Sequence, residues 1–459
     1  MDKGQRDLAL EYAHKNRANF LGALKEIIMI PSVSNDPAHA PDIQHAAGWM
    51  AAQLRLLGMR EVQVFPTARH PIVYGEWPEA KNAPTVLIYG HYDVQPADPL
   101  DQWHTGPFEP TVRGDAIFGR GTSDMKAQIV ATLKAVEALV HTGGMPVNIK
   151  WLLEGEEEIG SPNLESFISA HRDMLASDFS LNTDGGMIAE DCPTITCSLR
   201  GLVSFELSVT GPSHDLHSGI YGGAVHNPAI ALSELIAGLH DASGRITLPG
   251  FYDKVRPLTQ AERSEFARLP VGDRDYLEQT GTPALSGEAG YTSNERVGAR
   301  PSLDVNGILS GFTSPGFKTI IPTSAMAKIS IRLVLDQDPQ EIYRQFLSHL
   351  ERHAPKDIHW ELKLLSAEDA FALDRSSATI KTVARVLEMV WGTPPIFHRD
   401  GGSIPVAAQF QRILGLESIL IGFGLPDDNA HAPNEKQHLP TWYKGIDALV
   451  HFFMELAPR

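Results

Sequence analysis

"TVLIYGHYDV", residues 85–94, is an apolar run that stops at His91 and Asp93. Its short length and Val/Ile/Tyr content predict a buried strand. Downstream, "MKAQIVATLKAVEALVHTGG" (125–144) carries apolar residues at helical spacing up to a Gly-Gly stop, and "VNIKWLLEG" (147–155) is again strand-like. Strand, helix, strand at this spacing predicts a mostly parallel α/β sheet sandwiched by helices. Upstream lie two shorter β-type runs, "EVQVF" and "PIVYGEW", preceded by helical patterns ending near Pro31 and Gly58. In parallel sheets ligands sit beyond the carboxyl ends of the strands, which directs attention to what lies there.

Polar clusters lie at those ends. The first run ends on His91 and Asp93, and the third runs into Glu154, Glu156, Glu157 and Glu158. "DFSLNTDGG" ends on Asp184, and "ESILIGFGLPDDNAHAPNE" closes on His431. Asp124, in "AIFGRGTSDMKAQ", falls in the turn before the predicted helix. Like charges 4 Å apart repel by about 1 kcal/mol in water and by more at lower dielectric, so the acidic cluster is either a solvated loop, as most acidic runs are, or a site for a counterion. Singly, each residue has an ordinary alternative: a hydrogen-bonded histidine, a helix cap at Asp124, a turn aspartate, a surface imidazole. Together they are the mixture that zinc, manganese or cobalt accepts. Two dications ringed by His91, Asp124, Glu158, Asp184 and His431, with Asp124 bridging, would leave about one net positive charge. Glu157 would remain unligated and able to take a proton from a water acidified toward a pKa of about 7. Asp93 could accept from His91 and fix its tautomer, or simply cap the turn.

The 459 residues exceed one core, so two domains are expected. A formal net charge of −17 without a basic stripe argues against nucleic acid as a partner. The opening residues lack the pattern of a secretory signal, and no run reaches the roughly 18 apolar residues of a membrane span, so a cytoplasmic protein is expected. Cys192 and Cys197 fit no zinc or redox spacing and read as buried thiols. Phosphate-loop, dinucleotide, serine-elbow and H-E-x-x-H signatures are absent.

The middle has another texture. "GLVSFELSVTGPSHDLHSGIYGG" alternates and then turns, "NPAIALSELIAGLH" suits a helix, and "SAMAKISIRLVLD", "PQEIYRQFLSHLERH" and "IHWELKLL" read strand, helix, strand. This predicts an inserted α+β domain of split-βαβ, ferredoxin-like type over residues 201–370, with an irregular loop at about 241–315. Residues 1–200 and 371–459 would form the first domain.

"GHYDVQP", "GRGTSDMK", "EGEEEIGS", "DLHSGIYGG", "SIRLV", "GGSIPV" and "DDNAHAPNE" resemble, in order and spacing, the dinuclear-metal M20 peptidases, most closely their carnosinase-like cytosolic dipeptidase branch. The similarity covers nearly the whole chain. It implies a metallo-dipeptidase with two divalent ions per subunit, zinc first and manganese or cobalt as alternatives. His91 and Asp184 would hold one ion, Glu158 and His431 the other, Asp124 both; Glu157 would be the general base and Asp93 the orienter of His91. By the same resemblance the insert is a lid that dimerises the protein. His217 would stabilise the oxyanion across the dimer, Arg332 would grip the substrate carboxylate, and Thr319 and Ser403 would hydrogen-bond a small peptide substrate. Ala127 stands where relatives usually carry Gly. By the resemblance, Asp at position 184 goes with dipeptidases and aminopeptidases, whereas Glu there goes with carboxypeptidase-like and deacylating members. An N-acyl-amino-acid or N-carbamoyl amidohydrolase is the enzymatic alternative, and a non-catalytic metal-binding protein the alternative of another class.

Overall fold

The computed structural model describes residues 3–458. The chain forms two compact units, one of Met1–Cys197, Leu373–His398 and Gln409–Arg459, the other of Ser198–Ala372 and Arg399–Ala408.

The first unit is built on a mixed, mostly parallel sheet. Its strands run in the order Arg60–Phe65, Ile72–Trp77, Asn148–Glu154, Thr85–His91, Phe179–Asn182, Glu417–Leu420 and Thr194–Leu199. The four central strands are parallel, in register His91 with Glu154, Tyr89 with Asn182, and Leu420 with Asn182. Their carboxyl ends therefore share one edge. The two upstream runs pair antiparallel with each other, and Ile72–Trp77 pairs antiparallel with Asn148–Glu154. The short link between them permits a hairpin, whereas a parallel crossover needs a dozen or more residues.

Helix Lys126–Thr142 is buried on nearly every face, as its apolar composition requires. Lys3–Lys15 and Leu439–Glu455 both pack on it. Trp151 and Trp442 are wholly buried in this core, and the Trp442 indole donates to Ala127 O at 2.7 Å. Gly90 lets the helix close on the strand, since a Cβ there would lie 2.7 Å from Ile129 Cγ1. Among the described residues no helix is long and apolar enough to cross a membrane.

The second unit has a four-stranded antiparallel sheet ordered Ser302–Ser310, Ser324–Leu333, Gly201–Thr210, His359–Glu368. Helices Pro228–Ala237 and Pro339–His353 pack against it around Phe205, Phe346 and Leu350, a separate hydrophobic core. The order and the two helices are those of the expected split-βαβ fold. The segment read as an irregular loop is different: it holds helices Gln260–Phe266, Asp273–Thr280 and Ser293–Ala299 and the edge strand Ser302–Ser310. The helices are only seven or eight residues long, too short to show a periodic pattern. Cys197 is buried, as expected, while Cys192 is half-buried.

Candidate metal centre

Five side chains from separate segments of the first unit converge beyond the shared sheet edge. They form two groups, His91–Asp124–Asp184 and Asp124–Glu158–His431, each with donor atoms within 4.8 Å of one another. His91 Nε2 lies 3.0 Å from Asp124 Oδ1 and 3.6 Å from Asp184 Oδ2. His431 Nε2 lies 2.8 Å from Asp124 Oδ2 and 3.2 Å from Glu158 Oε2. Asp124 thus presents one oxygen to each group.

Local backbone explains the convergence. His91 ends its strand. Asp124 precedes the N-cap of helix Lys126–Thr142, which is Met125, so it is not the cap its sequence position allowed. Asp184 sits where Gly185 N donates to Ile421 O at 3.0 Å, and a Cβ on Gly422 would fall 1.7 Å from Gly185 O; only glycine permits that approach. His431 occupies the left-handed region at φ +62°, a conformation that non-glycine residues hold only under constraint.

The four glutamates have separate fates. Glu154 accepts from Tyr89 Oη at 2.6 Å and Ser161 Oγ at 2.9 Å. Glu156 accepts from Thr67 Oγ1, His70 N and Asn163 Nδ2. Glu158 accepts from Gln95 Nε2 at 2.9 Å and faces His431. Among the described residues, no hydrogen bond reaches the Glu157 carboxylate. Asp93, fully buried, accepts the amides of Glu157 and Glu158 at 3.3 and 3.1 Å, while its main-chain oxygen takes the hydrogen bond of His91 Nδ1 at 3.2 Å and its Oδ1 lies 3.4 Å from the same nitrogen. It therefore seats the glutamate turn as well as the imidazole. Gln95, overlooked in the sequence, was legible within "GHYDVQP", four residues past His91.

The charge balance shows what the cluster lacks. Burial pushes the Glu157 carboxyl well above its ordinary range; His91 pulls it back, while Asp184, Glu158 and Asp124 push it further. Burial and the nearby Asp124 push Asp184 up to about 6, and burial also raises Glu158. Hydrogen bonds to Asp124 and Glu158 raise His431 to about 10. Burial opposes charging of His91, yet Asp124 and Asp184 outweigh it and raise its pKa. Burial opposes ionisation of Asp124, and the two histidines reverse this and hold it low. Three of the four acids are pushed toward keeping protons and both imidazoles toward gaining them, with only Asp124 held ionised between the two rings, which is the response of a site that demands cations. Donor geometry agrees. Metal–ligand bonds of about 2.0–2.2 Å in a tetrahedron put donors about 3.4 Å apart, and the four imidazole–carboxylate separations here run from 2.8 to 3.6 Å. Among the described residues, buried His91 Nε2 has no hydrogen bond of acceptable geometry despite its 3.0 Å approach to Asp124, as expected if both atoms aim at a third point. The residues fit a pair of divalent cations.

In the second unit the remaining expected site residues form two pairs. His217 pairs in register with Ile320, and Ser218 N donates to Thr319 O at 3.0 Å; His217 and Thr319 are both exposed. Arg332 Nη1 donates to Ser403 Oγ at 2.7 Å, and that hydroxyl donates to Arg200 O.

A mixed, mostly parallel sheet carrying two acid–imidazole groups around a shared aspartate defines a dinuclear-type hydrolase scaffold. Residues 87–455 match the peptidase family M20/M25/M40 model, and the chain belongs to that family. It is 31% identical to the Cys-Gly metallodipeptidase dug1 of Schizosaccharomyces pombe, covering 98% of both chains. It is also 31% identical to the Beta-Ala-His dipeptidase of Homo sapiens, over 97% of this chain and 92% of that one. The crystal structure of human carnosine dipeptidase 1 superposes with a TM-score of 0.85 at 30% identity, covering 98% of each chain. An M20 family metallo-carboxypeptidase from Sulfolobus solfataricus gives 0.87 at 33% identity, over 95% of this chain and 99% of that one.

Proposed function

We propose that the chain is a metal-dependent dipeptidase in which His91 and Asp184 hold one divalent cation, Glu158 and His431 a second, and Asp124 both. The observation that carries this reading is the Asp124 carboxylate, with Oδ1 3.0 Å from one imidazole and Oδ2 2.8 Å from the other, beside a Glu157 whose carboxylate no hydrogen bond reaches among the described residues. Cations bound there would acidify a water and polarise the scissile carbonyl. Zinc suits the donor set first, with manganese and cobalt tolerated.

The protein's own groups supply the rest. Glu157, held proton-hungry by burial, takes the water's proton and returns it to the leaving amine. Asp93 keeps the His91 ring and the glutamate turn in place. His217 Nδ1 accepts from Gly219 N at 2.9 Å, which leaves the proton on Nε2 as a donor for the developing oxyanion. Arg332 and Ser403, within one hydrogen bond of each other, suit a terminal carboxylate, and Thr319 beside His217 offers a further hydroxyl. The inserted unit would act as lid and dimer contact of a cytoplasmic homodimer.

The relatives named for Cys-Gly and Beta-Ala-His dipeptides support a dipeptide substrate. A panel of dipeptides, longer peptides and N-acylated amino acids, assayed with zinc, manganese or cobalt, tests this. Turnover of free-amine dipeptides is expected. Hydrolysis confined to N-acylated amino acids would overturn the dipeptidase reading.

A further inference from the structure

We infer that Glu435 is a positioning residue that holds the loop bearing Asp124 and the loop bearing His431 at a fixed separation, so that the second cation site is formed before any ion arrives. The inference rests on the two-cation reading above.

Glu435 is wholly buried, yet it lies outside the ligand set. Its Oε2 accepts from Arg120 Nη1 at 2.8 Å and Gly121 N at 2.9 Å, and its Oε1 from Ser123 N at 2.8 Å and Asp124 N at 3.2 Å. Gly119 N also donates to Glu435 O at 2.9 Å. One carboxylate thus fills a nest of backbone amides that ends on the shared aspartate itself. Gly121 adopts φ +83° within the nest, which turns its amide inward as a side chain would resist. Arg120, equally buried, reaches Pro96 O with its other terminal nitrogen and lies over the Trp103 ring, so the countercharge is fixed too.

The other end of the clasp carries His431. Asp428 Oδ2 accepts from Ser123 Oγ at 3.0 Å and Leu425 N at 2.8 Å, and Lys436 N closes the loop base on Asp428 O at 2.9 Å. Between these anchors Asn429, His431 and Asn434 all take positive φ, at 56°, 62° and 62°. The His431 side chain is 52% exposed. An exposed imidazole on a left-handed backbone has little packing to place it; besides its contacts with Asp124 and Glu158, its position depends on the loop base, which Glu435 ties to Asp124. A carboxylate is required because each oxygen meets two donors. Glutamine would turn an NH2 group toward one of those donor pairs and leave the buried Arg120 without its counterion.

The test compares wild type, Glu435→Gln and Glu435→Asp by cobalt titration, following bound ions per chain and the visible absorption of the cobalt centre, with circular dichroism and Tm as folding controls. A merely structural ion pair would lower Tm and leave affinity and spectrum alone. For a positioning residue we expect Glu435→Gln to bind one ion nearly as wild type, the second at least about ten-fold more weakly, with altered cobalt bands. Glu435→Asp, which keeps the charge, should fall between. Two ions bound with wild-type affinity and spectrum in Glu435→Gln would overturn the inference. Should Glu435→Gln not fold, Glu435→Asp and amide exchange in chelator-treated wild type decide. The Gly121, Ser123 and Asp124 amides should exchange slowly there, and fast exchange would overturn the claim. A wild type that binds fewer than two ions would instead refute the two-cation reading.

Discussion

Glu157 and Glu154 are three residues apart and chemically identical, yet their surroundings are opposite. Glu154 is satisfied by a tyrosine and a serine hydroxyl; Glu157 receives no such bond and faces three other carboxylates. Glu157→Gln should keep both cations by metal analysis and lose about 10²–10⁴-fold in turnover. Near-normal hydrolysis by the metal-replete variant would remove it as the base. Burial pushes Glu154 up to about 8 from 4.5. Below its unfolded value the neutral acid costs nothing extra; as pH rises toward 8 the unfolded chain releases a proton that the folded one keeps, so stability falls. Glu154→Gln should therefore match wild type in Tm near about pH 5 and exceed it above about pH 8; equal melting curves at both values would contradict this. At this scale the sequence displays charge but not the donors that absorb it: Tyr89, Ser161 and Thr67 carry no mark of their partners.

Elements long enough to complete several periods were legible. Helix Pro339–His353 begins and ends where its pattern does, and Asn227 caps Pro228–Ala237 through Ala229 N at 2.9 Å, as Asn-Pro before an apolar run implies. Short elements were not. Ser293–Ala299 is specified by a capping box in which Thr292 and Glu295 exchange bonds with each other's backbone, and Glu295 also receives Arg263. Thr259 and Glu262 do the same for Gln260–Phe266. Thr-x-x-Glu stands at both places, but without an apolar stripe behind it the motif alone does not specify a helix. Edge strand Ser302–Ser310 leaves Ile308 and Leu309 exposed, so the usual alternation is blurred. Thr292→Ala should destabilise its helix by about 1 kcal/mol, read as faster amide exchange over Ser293–Ala299; unchanged protection would show that tertiary packing alone holds it.

At the scale of the molecule, cations that bind only the folded state should raise its stability, by about 4 kcal/mol at a thousand-fold excess over Kd. Chelation should lower Tm and abolish hydrolysis, with both restored by readdition; a Tm indifferent to chelator would count against a shared metal centre. If His217 serves the partner's site, mixing Glu157→Gln with His217→Ala subunits should recover about one quarter of wild-type activity through hybrids with one intact site. No recovery despite demonstrated subunit exchange would exclude action across the dimer. The strand Glu417–Leu420 pairs with Phe179–Asn182, and the whole second unit intervenes between them in sequence. A polypeptide leaving the ribosome therefore exposes His91, Asp124, Glu158 and Asp184 long before His431 is synthesised. The intervening unit, with its own core, can fold while the first waits incomplete. If His431 completes the proposed centre, hydrolytic competence waits for its synthesis, and the four earlier donors stand ready without it.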